Sequence, residues 1–142
     1  MALQRDSLGF LLADVSRLMR RAFQQRLEGS TLTLAQARAL VYVSRNEGVR
    51  QVDLADLLEV QPITLARLID QLADTGLVER RADPVDRRAY QVFLTRAAAP
   101  HLAAIEKVAK KIRSEALHGF SEQQAASALF ALGKMRENLA SR

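Results

Sequence analysis

The chain has 142 residues, 49% of them hydrophobic, which suffices for one compact core but not for two large independent domains. It has no cysteine, so disulfides, thiolate metal sites, cysteine nucleophiles and thiol redox sensing are excluded. Its 21 Lys and Arg against 16 Asp and Glu give a net charge of +5, which is compatible with a polyanionic partner but does not identify one. No run approaches the roughly 18 to 20 apolar residues of a membrane span, and no secretory signal pattern opens the chain. We therefore expect a cytoplasmic protein with no membrane partner.

Helical periodicity dominates the first third of the chain. Apolar residues recur at spacings of three and four from Leu8 to Leu27, which predicts a long amphipathic helix. Thr33 and Gln36 have the spacing of a capping box and precede another apolar run, so they predict the start of a second helix. That helix should end before Gly48.

Two shorter helices follow, joined by a tight turn. The segment from Gln51 to Leu58 predicts a short helix whose inward residues are Val52, Ala55 and Leu58. Pro62 suits the first position of the next helix, which should run to about Thr75 with Gly76 as its left-handed C-terminal residue.

The remaining elements are a hairpin and two more helices. From Leu77 to Thr95, β-prone residues flank a polar loop with turn chemistry at Asp83-Pro84, which predicts a two-stranded hairpin. A helix is expected from about Pro100 to Leu117, and Ser121 with Gln124 predicts a capping box that opens the last helix. The order of these elements predicts a mainly α fold with a small β-hairpin: a winged helix-turn-helix core flanked by N- and C-terminal helices.

The second short helix has two distinct faces. Its core face comprises Leu65, Leu68, Ile69 and Leu72, and its outward face comprises Ile63, Arg67, Asp70 and Asp74, with Thr64 and Gln71 at a margin. Because phosphates repel the two aspartates, only the N-terminal half should enter a DNA major groove.

The candidate DNA-binding residues on this helix are Gln61, Pro62, Thr64, Arg67 and Gln71. Arg67 can donate two hydrogen bonds to a guanine, which is worth about 1 to 3 kcal/mol of discrimination, and Thr64 can touch a base edge or a thymine methyl. Gln61 suits either an adenine contact or a helix cap. An exposed arginine on a helix is more often a solvated or salt-bridged side chain, so Arg67 also has a purely structural interpretation.

The central positive charge is local. Residues 45–96 hold eight Arg or Lys but nine Asp or Glu, so any DNA contact there must depend on the hairpin arginines, which are Arg80, Arg81, Arg87 and Arg88. Asp86 can pair with Arg88 and stabilise the hairpin loop, leaving Arg87 or Arg88 to enter an A·T-rich minor groove. The alternative is an ordinary turn and a solvated strand face.

The most specific motif of the hairpin is Asp86-Arg87-Arg88 followed, after five intervening residues, by Leu94-Thr95. With this motif and with residues 32–36, 51–55, 61–72, 76–81 and 83–88, the segment from Leu32 to about Leu102 resembles the MarR family of bacterial winged helix-turn-helix regulators, SlyA-like members included.

The resemblance implies a transcriptional regulator, most often a repressor, that binds double-stranded DNA at a pseudo-palindromic operator as a homodimer. It implies a small aromatic anionic effector that releases the operator, and no cofactor. It also implies a single MarR-like chain over residues 1–142, with a winged helix-turn-helix part at 30–97 and helical dimerisation parts at 5–29 and 98–142.

Two departures from the family pattern concern backbone geometry. Glu59 stands in the turn where such sequences often have glycine, and a left-handed backbone costs a non-glycine residue about 1 to 2 kcal/mol. We therefore expect another turn geometry. Ala98 replaces a common glycine and Pro100 follows it, so the fifth long helix should be bent or begin later.

Two other functions compete with DNA binding. An enzyme finds little support, because His101 and His118 lie far apart and no nucleophile motif, metal spacing or phosphate loop is present. We expect neither catalytic nor metal-binding residues. The stronger alternative is a helical protein-interaction module of the same fold that has lost DNA binding, which the near-neutral central segment favours.

Overall fold

The computed structural model describes residues 6–141, and over that range the predicted fold class is confirmed. Six helices and three strands follow one another as α1 (Leu8–Arg26), α2 (Leu34–Arg45), β1 (Val49–Arg50), α3 (Gln51–Leu58), α4 (Pro62–Asp74), β2 (Val78–Ala82), β3 (Tyr90–Leu94), α5 (Ala98–Ala116) and α6 (Glu122–Ala140). Within these residues, no helix combines the length and apolar character needed to cross a membrane.

The sheet is larger than predicted. The predicted hairpin is present as β2 and β3, but β1 pairs antiparallel with β3 and makes a third strand, in the order β1-β3-β2. With only two residues, β1 is too short to show an alternating pattern, so the sequence does not indicate it.

The chain divides into two compact units, one ending at Ala109 and the other beginning at Lys110. The predicted division into a DNA-binding part at 30–97 and dimerisation parts at 5–29 and 98–142 is a functional one, and it stays a prediction. Residues 5 and 142 of those parts lie outside the described residues.

Both predicted capping boxes are present. Thr33 Oγ1 accepts a hydrogen bond from the Gln36 N–H at 3.1 Å, and Gln36 Oε1 accepts one from the Thr33 N–H at 2.9 Å. Ser121 and Gln124 repeat this exchange at the start of α6, at 3.1 and 2.9 Å. Each box satisfies two N–H groups that a helix start leaves without intrahelical partners, which is why these local signals located both starts correctly.

The core of the first unit lies among α2, α3, α4 and the sheet. Its fully buried large side chains are Leu40, Val43, Leu54, Leu65, Ile69, Leu72 and Val92. The predicted core face of α4 is confirmed, with Leu68 partly buried against the cluster.

One inward assignment in α3 is wrong. Val52 is 60% exposed, whereas Leu54, Ala55 and Leu58 are buried. At about 100° per residue, Val52 lies about 115° from the middle of the face that those three residues share.

The expected turn geometry at Glu59 and the expected late start of the fifth long helix are also wrong. Glu59 adopts the left-handed conformation, with φ 56° and ψ 43°, and its N–H closes the C-terminal end of α3. Helix α5 begins at Ala98 rather than later, which places Pro100 in its first turn. Proline is tolerated there because a first-turn N–H has no intrahelical acceptor.

Candidate nucleic-acid interface

The N-terminal half of α4 presents an exposed surface. Gln61, Pro62, Ile63, Thr64 and Arg67 are all exposed, as the predicted outward face requires. Pro62 occupies the first helical position, and Gln61 precedes it as the cap residue. The Gln61 side chain makes no capping hydrogen bond, so the capping alternative is not observed. The first-turn N–H groups and the positive end of the helix dipole therefore face outward, an arrangement that favours an anion.

Gln71 lies farther along α4 and has a partner inside the protein. Its side-chain oxygen accepts a hydrogen bond from Nε2 of Gln36 at 3.2 Å. Gln36 belongs to the capping box of α2, so this contact connects the start of α2 to α4. The exposed amide of Gln71 is thus already oriented by the fold.

Arg80, on β2, joins the wing to both short helices. Its Nε donates to Gln51 Oε1 at 2.7 Å, and its Nη2 donates to the backbone carbonyl of Ala66 at 3.0 Å. Its Nη1 lies 2.6 Å from Asp70 Oδ1. One guanidinium therefore connects α3, α4 and β2, and it neutralises an aspartate that faces outward on α4.

Asp83 organises the loop between β2 and β3. Its Oδ1 accepts hydrogen bonds from the N–H groups of Val85 at 2.8 Å and Asp86 at 3.0 Å, and its Oδ2 accepts one from Arg50 Nε at 2.8 Å. Asp83 is only 5% exposed. The backbone N–H groups of Asp86 and Val85, and then the Arg50 guanidinium, lower the pKa of Asp83, while the bond to Asp83 raises the pKa of Arg50. A buried carboxylate with these three donors fixes the base of the wing loop.

Asp86 stabilises the loop differently from the ion pair expected with Arg88. Its Oδ1 accepts a hydrogen bond from the backbone N–H of Arg88 at 3.0 Å, and its carbonyl accepts one from Ala89 at 3.0 Å. These bonds shape the tip of the wing, where the Arg87 and Arg88 side chains are exposed. The distinction between the two arginines stays open.

Arg81 belongs to the scaffold of the wing. Its guanidinium pairs with Glu79 and lies over the Phe93 ring, 3.9 Å from the ring centre. The four hairpin arginines thus divide into two groups. Arg80 and Arg81 are engaged within the protein, whereas Arg87 and Arg88 extend from the tip.

The sequence interpretation missed several residues that hold the interface in place. A turn with the Asp83 side chain capping its own backbone could have been inferred from Asp83-Pro84, because Asp commonly bonds the N–H groups that follow it. The long-range contacts of Gln36, Arg50 and Gln51 had no local signal, because their partners lie between 29 and 35 residues away.

A second feature of the first unit is an apolar pocket of about 360 Å³. Arg20, Arg38, Ser16 and Tyr42 are among its lining residues, and nearly all of the surface that they and the other lining residues expose to it is apolar. The apolar lining residues come from α1, α2 and the first half of α5: Leu12, Val15, Met19, Phe23, Leu34, Ala37, Val41 and Ile105.

Residues suited to catalysis or metal binding are sparse in the part of the chain that the structure describes. There, no group of three or more His, Asp or Glu side chains is arranged to hold a metal ion. His101 lies half-buried in α5, and His118 is exposed beyond its end.

Two short helices with a tight turn, an exposed second helix and a stabilised wing define a winged helix-turn-helix protein, the class that places such a helix in a DNA groove. The model of the MarR family matches residues 30–89, and a crystal structure of MarR matches with a TM-score of 0.86 at 27% identity, over 99% of this chain and 97% of that one. Over residues 30–89 the chain is therefore similar to the MarR family, and its fold is that of MarR.

Two further solved structures have the same fold. The transcriptional regulator SlyA matches with a TM-score of 0.75 at 25% identity, over 92% of each chain. A putative MarR family transcriptional regulator from Listeria monocytogenes, complexed with 26mer DNA, matches with a TM-score of 0.80 at 23% identity, over 96% of this chain and 91% of that one. The Listeria protein bears on the fold alone.

Proposed function

We propose that this protein is a sequence-specific transcriptional regulator, acting as a repressor, that binds a pseudo-palindromic operator as a homodimer. The observation that carries the proposal is the joint exposure of the α4 N-terminal half and the wing tip on a scaffold connected by Arg80.

Arg67, Thr64 and the arginines of the wing tip each have a chemically suitable partner on duplex DNA. Arg67 donates two hydrogen bonds to guanine O6 and N7, and Thr64 contacts a neighbouring base edge in the major groove. Gln61 and Gln71 flank this pair, and Pro62 fixes the backbone at the exposed start of the helix. Arg87 or Arg88 inserts into an A·T-rich minor groove, whose narrowness strengthens its negative potential.

Exposed apolar side chains support the homodimer. Six lie on α1: Leu8, Phe10, Leu11, Leu12, Val15 and Leu18, each at least 41% exposed. On α6, Leu129, Phe130, Leu132 and Leu139 are each at least 46% exposed. Helices this apolar on the outside are typical of surfaces that a partner covers. Two copies brought together this way present two α4 helices to two half-sites.

The apolar pocket supports a small aromatic anion as the effector. Its apolar walls suit an aromatic ring, and two of its lining residues, Arg20 and Arg38, carry the positive charge that attracts a carboxylate. Because α2 both lines this pocket and contacts α4 through Gln36 and Gln71, occupancy of the pocket has a direct physical path to the DNA-binding helix.

The decisive experiment is DNA binding to the protein's own upstream region across a salt series. Because Arg67→Ala removes the guanine contact from both half-sites, we expect it to weaken the preferred site by about 2 to 6 kcal/mol, at least about 30-fold, and to relax its sequence preference. The double variant Arg87→Ala, Arg88→Ala should weaken all sites and reduce the salt slope. Arg45→Ala, which removes one exposed positive charge at the end of α2, is the matched control and should bind like the wild type. Wild-type behaviour of both test variants would refute the proposal.

Separate measurements address the homodimer and the effector. Sedimentation should give twice the chain mass at micromolar concentration, and Leu129→Glu on α6 should shift the protein toward monomer. Salicylate should dissociate the wild-type complex with DNA but have a weaker effect on Arg38→Ala. A monomeric wild type, or complete indifference to aromatic acids, would remove the corresponding part of the proposal.

The near-neutral charge of residues 45–96 favours one alternative, a protein-interaction module that has lost DNA binding. It predicts no salt-dependent binding to any duplex, even at low ionic strength. The same salt series therefore distinguishes the two functions.

A further inference from the structure

Ile63 is an exposed apolar residue that the fold does not explain. It is the second residue of α4 and 63% of it is exposed, while the buried side of the helix is filled by Leu65, Ile69 and Leu72. A β-branched side chain loses rotamer freedom in a helix, so isoleucine is a poorer helix former than alanine at this position. Neither the helix nor the core requires it.

The position of Ile63 indicates what it contacts. In a helix-turn-helix protein the N-terminal residues of the second helix contact base edges in the major groove. The C5-methyl of thymine is the apolar group that base pairs display there. On the basis of the proposed function, we propose that Ile63 contacts a thymine methyl in each half-site and thereby determines specificity for that base pair.

The geometry of α4 also places this thymine relative to a guanine. Arg67 follows Ile63 by four residues, so the two side chains lie on one face of the helix, about 6 Å apart along its axis. Base pairs are stacked about 3.4 Å apart. The thymine contacted by Ile63 should therefore lie within about two base pairs of the guanine bound by Arg67.

Deoxyuridine, which lacks only the C5-methyl, gives a direct test. The operator is first located by footprinting of the upstream region, and each thymine of the footprint is then replaced in turn by deoxyuridine. One thymine in each half-site should be sensitive to this replacement. Replacing it in a single half-site should weaken wild-type binding about 4-fold, because one buried methyl group contributes about 0.8 kcal/mol. Symmetric replacement in both half-sites should cost a homodimer about 15-fold. Ile63→Ala should bind the thymine duplex more weakly and should be insensitive to replacement at that position.

Val85→Ala is the matched control. Val85 is 87% exposed at the tip of the wing, and the minor groove proposed for the wing displays no thymine methyl. This variant should keep the full wild-type sensitivity to deoxyuridine.

The possible outcomes separate the inference from the function on which it rests. The role of Ile63 is overturned if the wild type binds DNA but is insensitive to deoxyuridine at every position. It is also overturned if Ile63→Ala is as sensitive to deoxyuridine as the wild type. Either outcome leaves the proposed DNA binding intact. Absence of binding to any duplex overturns both. Loss of sensitivity in Ile63→Ala alone supports the inference.

Discussion

Replacing Arg80 by alanine tests how the wing is held against α4. The variant loses two hydrogen bonds from a charged donor, to Gln51 and to the Ala66 carbonyl, each worth about 1.5 to 3 kcal/mol. It also loses the ion pair with Asp70, which contributes about 0.2 to 1 kcal/mol because the Asp70 side chain is 60% exposed. Water compensates part of this loss at the half-exposed groups. We expect the free energy of unfolding to fall by about 2 to 4 kcal/mol, measured by urea denaturation.

The same substitution changes the charge that α4 presents to DNA. Without Arg80, the Asp70 carboxylate is no longer neutralised, and each phosphate about 10 Å away repels it by about 0.4 kcal/mol in water. Over about two phosphates in each of two subunits, this repulsion sums to about 1.6 kcal/mol, so we expect Arg80→Ala to weaken DNA binding about 15-fold at low salt. Adding Asp70→Asn to that variant should recover part of the affinity, because the unpaired charge is removed.

Arg81→Ala provides the matched control on the same strand. Arg81 pairs with Glu79 and lies over Phe93, and its side chain is 56% exposed, so its loss should cost only about 0.5 to 1 kcal/mol. If Arg80→Ala unfolds at the same urea concentration as Arg81→Ala, the connecting role of Arg80 is refuted. If Asp70→Asn restores no affinity in the Arg80→Ala background, the electrostatic explanation fails.

Three further predictions concern the backbone and the wing. Because the fold lowers the pKa of Asp83, the charge of this carboxylate stabilises the protein fully above the ordinary pKa of about 3.9 and less as the pH falls below it. In urea unfolding, the difference in the free energy of unfolding between wild type and Asp83→Asn should therefore shrink from about pH 6 to pH 3. A difference that stays constant would contradict this. Gly48→Ala places a Cβ 3.2 Å from Phe93 at φ +84° and should lower Tm more than Gly29→Ala, which has φ +85° and open space; equal losses would show that the Phe93 contact does not matter. Glu59→Gly should raise stability by about 0.5 to 1 kcal/mol in thermal unfolding, and a lower Tm would refute the strain at φ 56°.

The sequence predicted the elements whose signals are local. The capping boxes at Thr33 and Ser121 located two helix starts correctly, because side chain and backbone exchange hydrogen bonds within four residues. The core face of α4 was also predicted correctly, since apolar residues three and four apart necessarily share one side of a helix. Gly76, with φ +78°, ends that helix as expected.

The sequence did not predict what depends on distant partners. Strand β1 exists because Val49 and Arg50 meet β3 about forty residues later in the chain, and two residues carry no periodic pattern. The left-handed Glu59 was rejected on its intrinsic cost, which is only about 1 to 2 kcal/mol. Packing of the buried ends of α3 and α4, at Leu58 and Leu65, outweighs a cost of that size.

The positions of the charges, rather than their sum, determine where residues 45–96 present positive charge. Asp70 is engaged by Arg80, Asp83 by Arg50, and Glu79 by Arg81, so these acids act within the protein rather than against an approaching phosphate. Exposed positive charge is then left at the N-terminal half of α4 and at the tip of the wing. The net charge sums the paired acids with the exposed arginines, so it underestimates the attraction between those arginines and nearby phosphates. Because salt screens exposed charges beyond about 10 Å, the local arrangement, and not the sum, should determine affinity for DNA at physiological ionic strength.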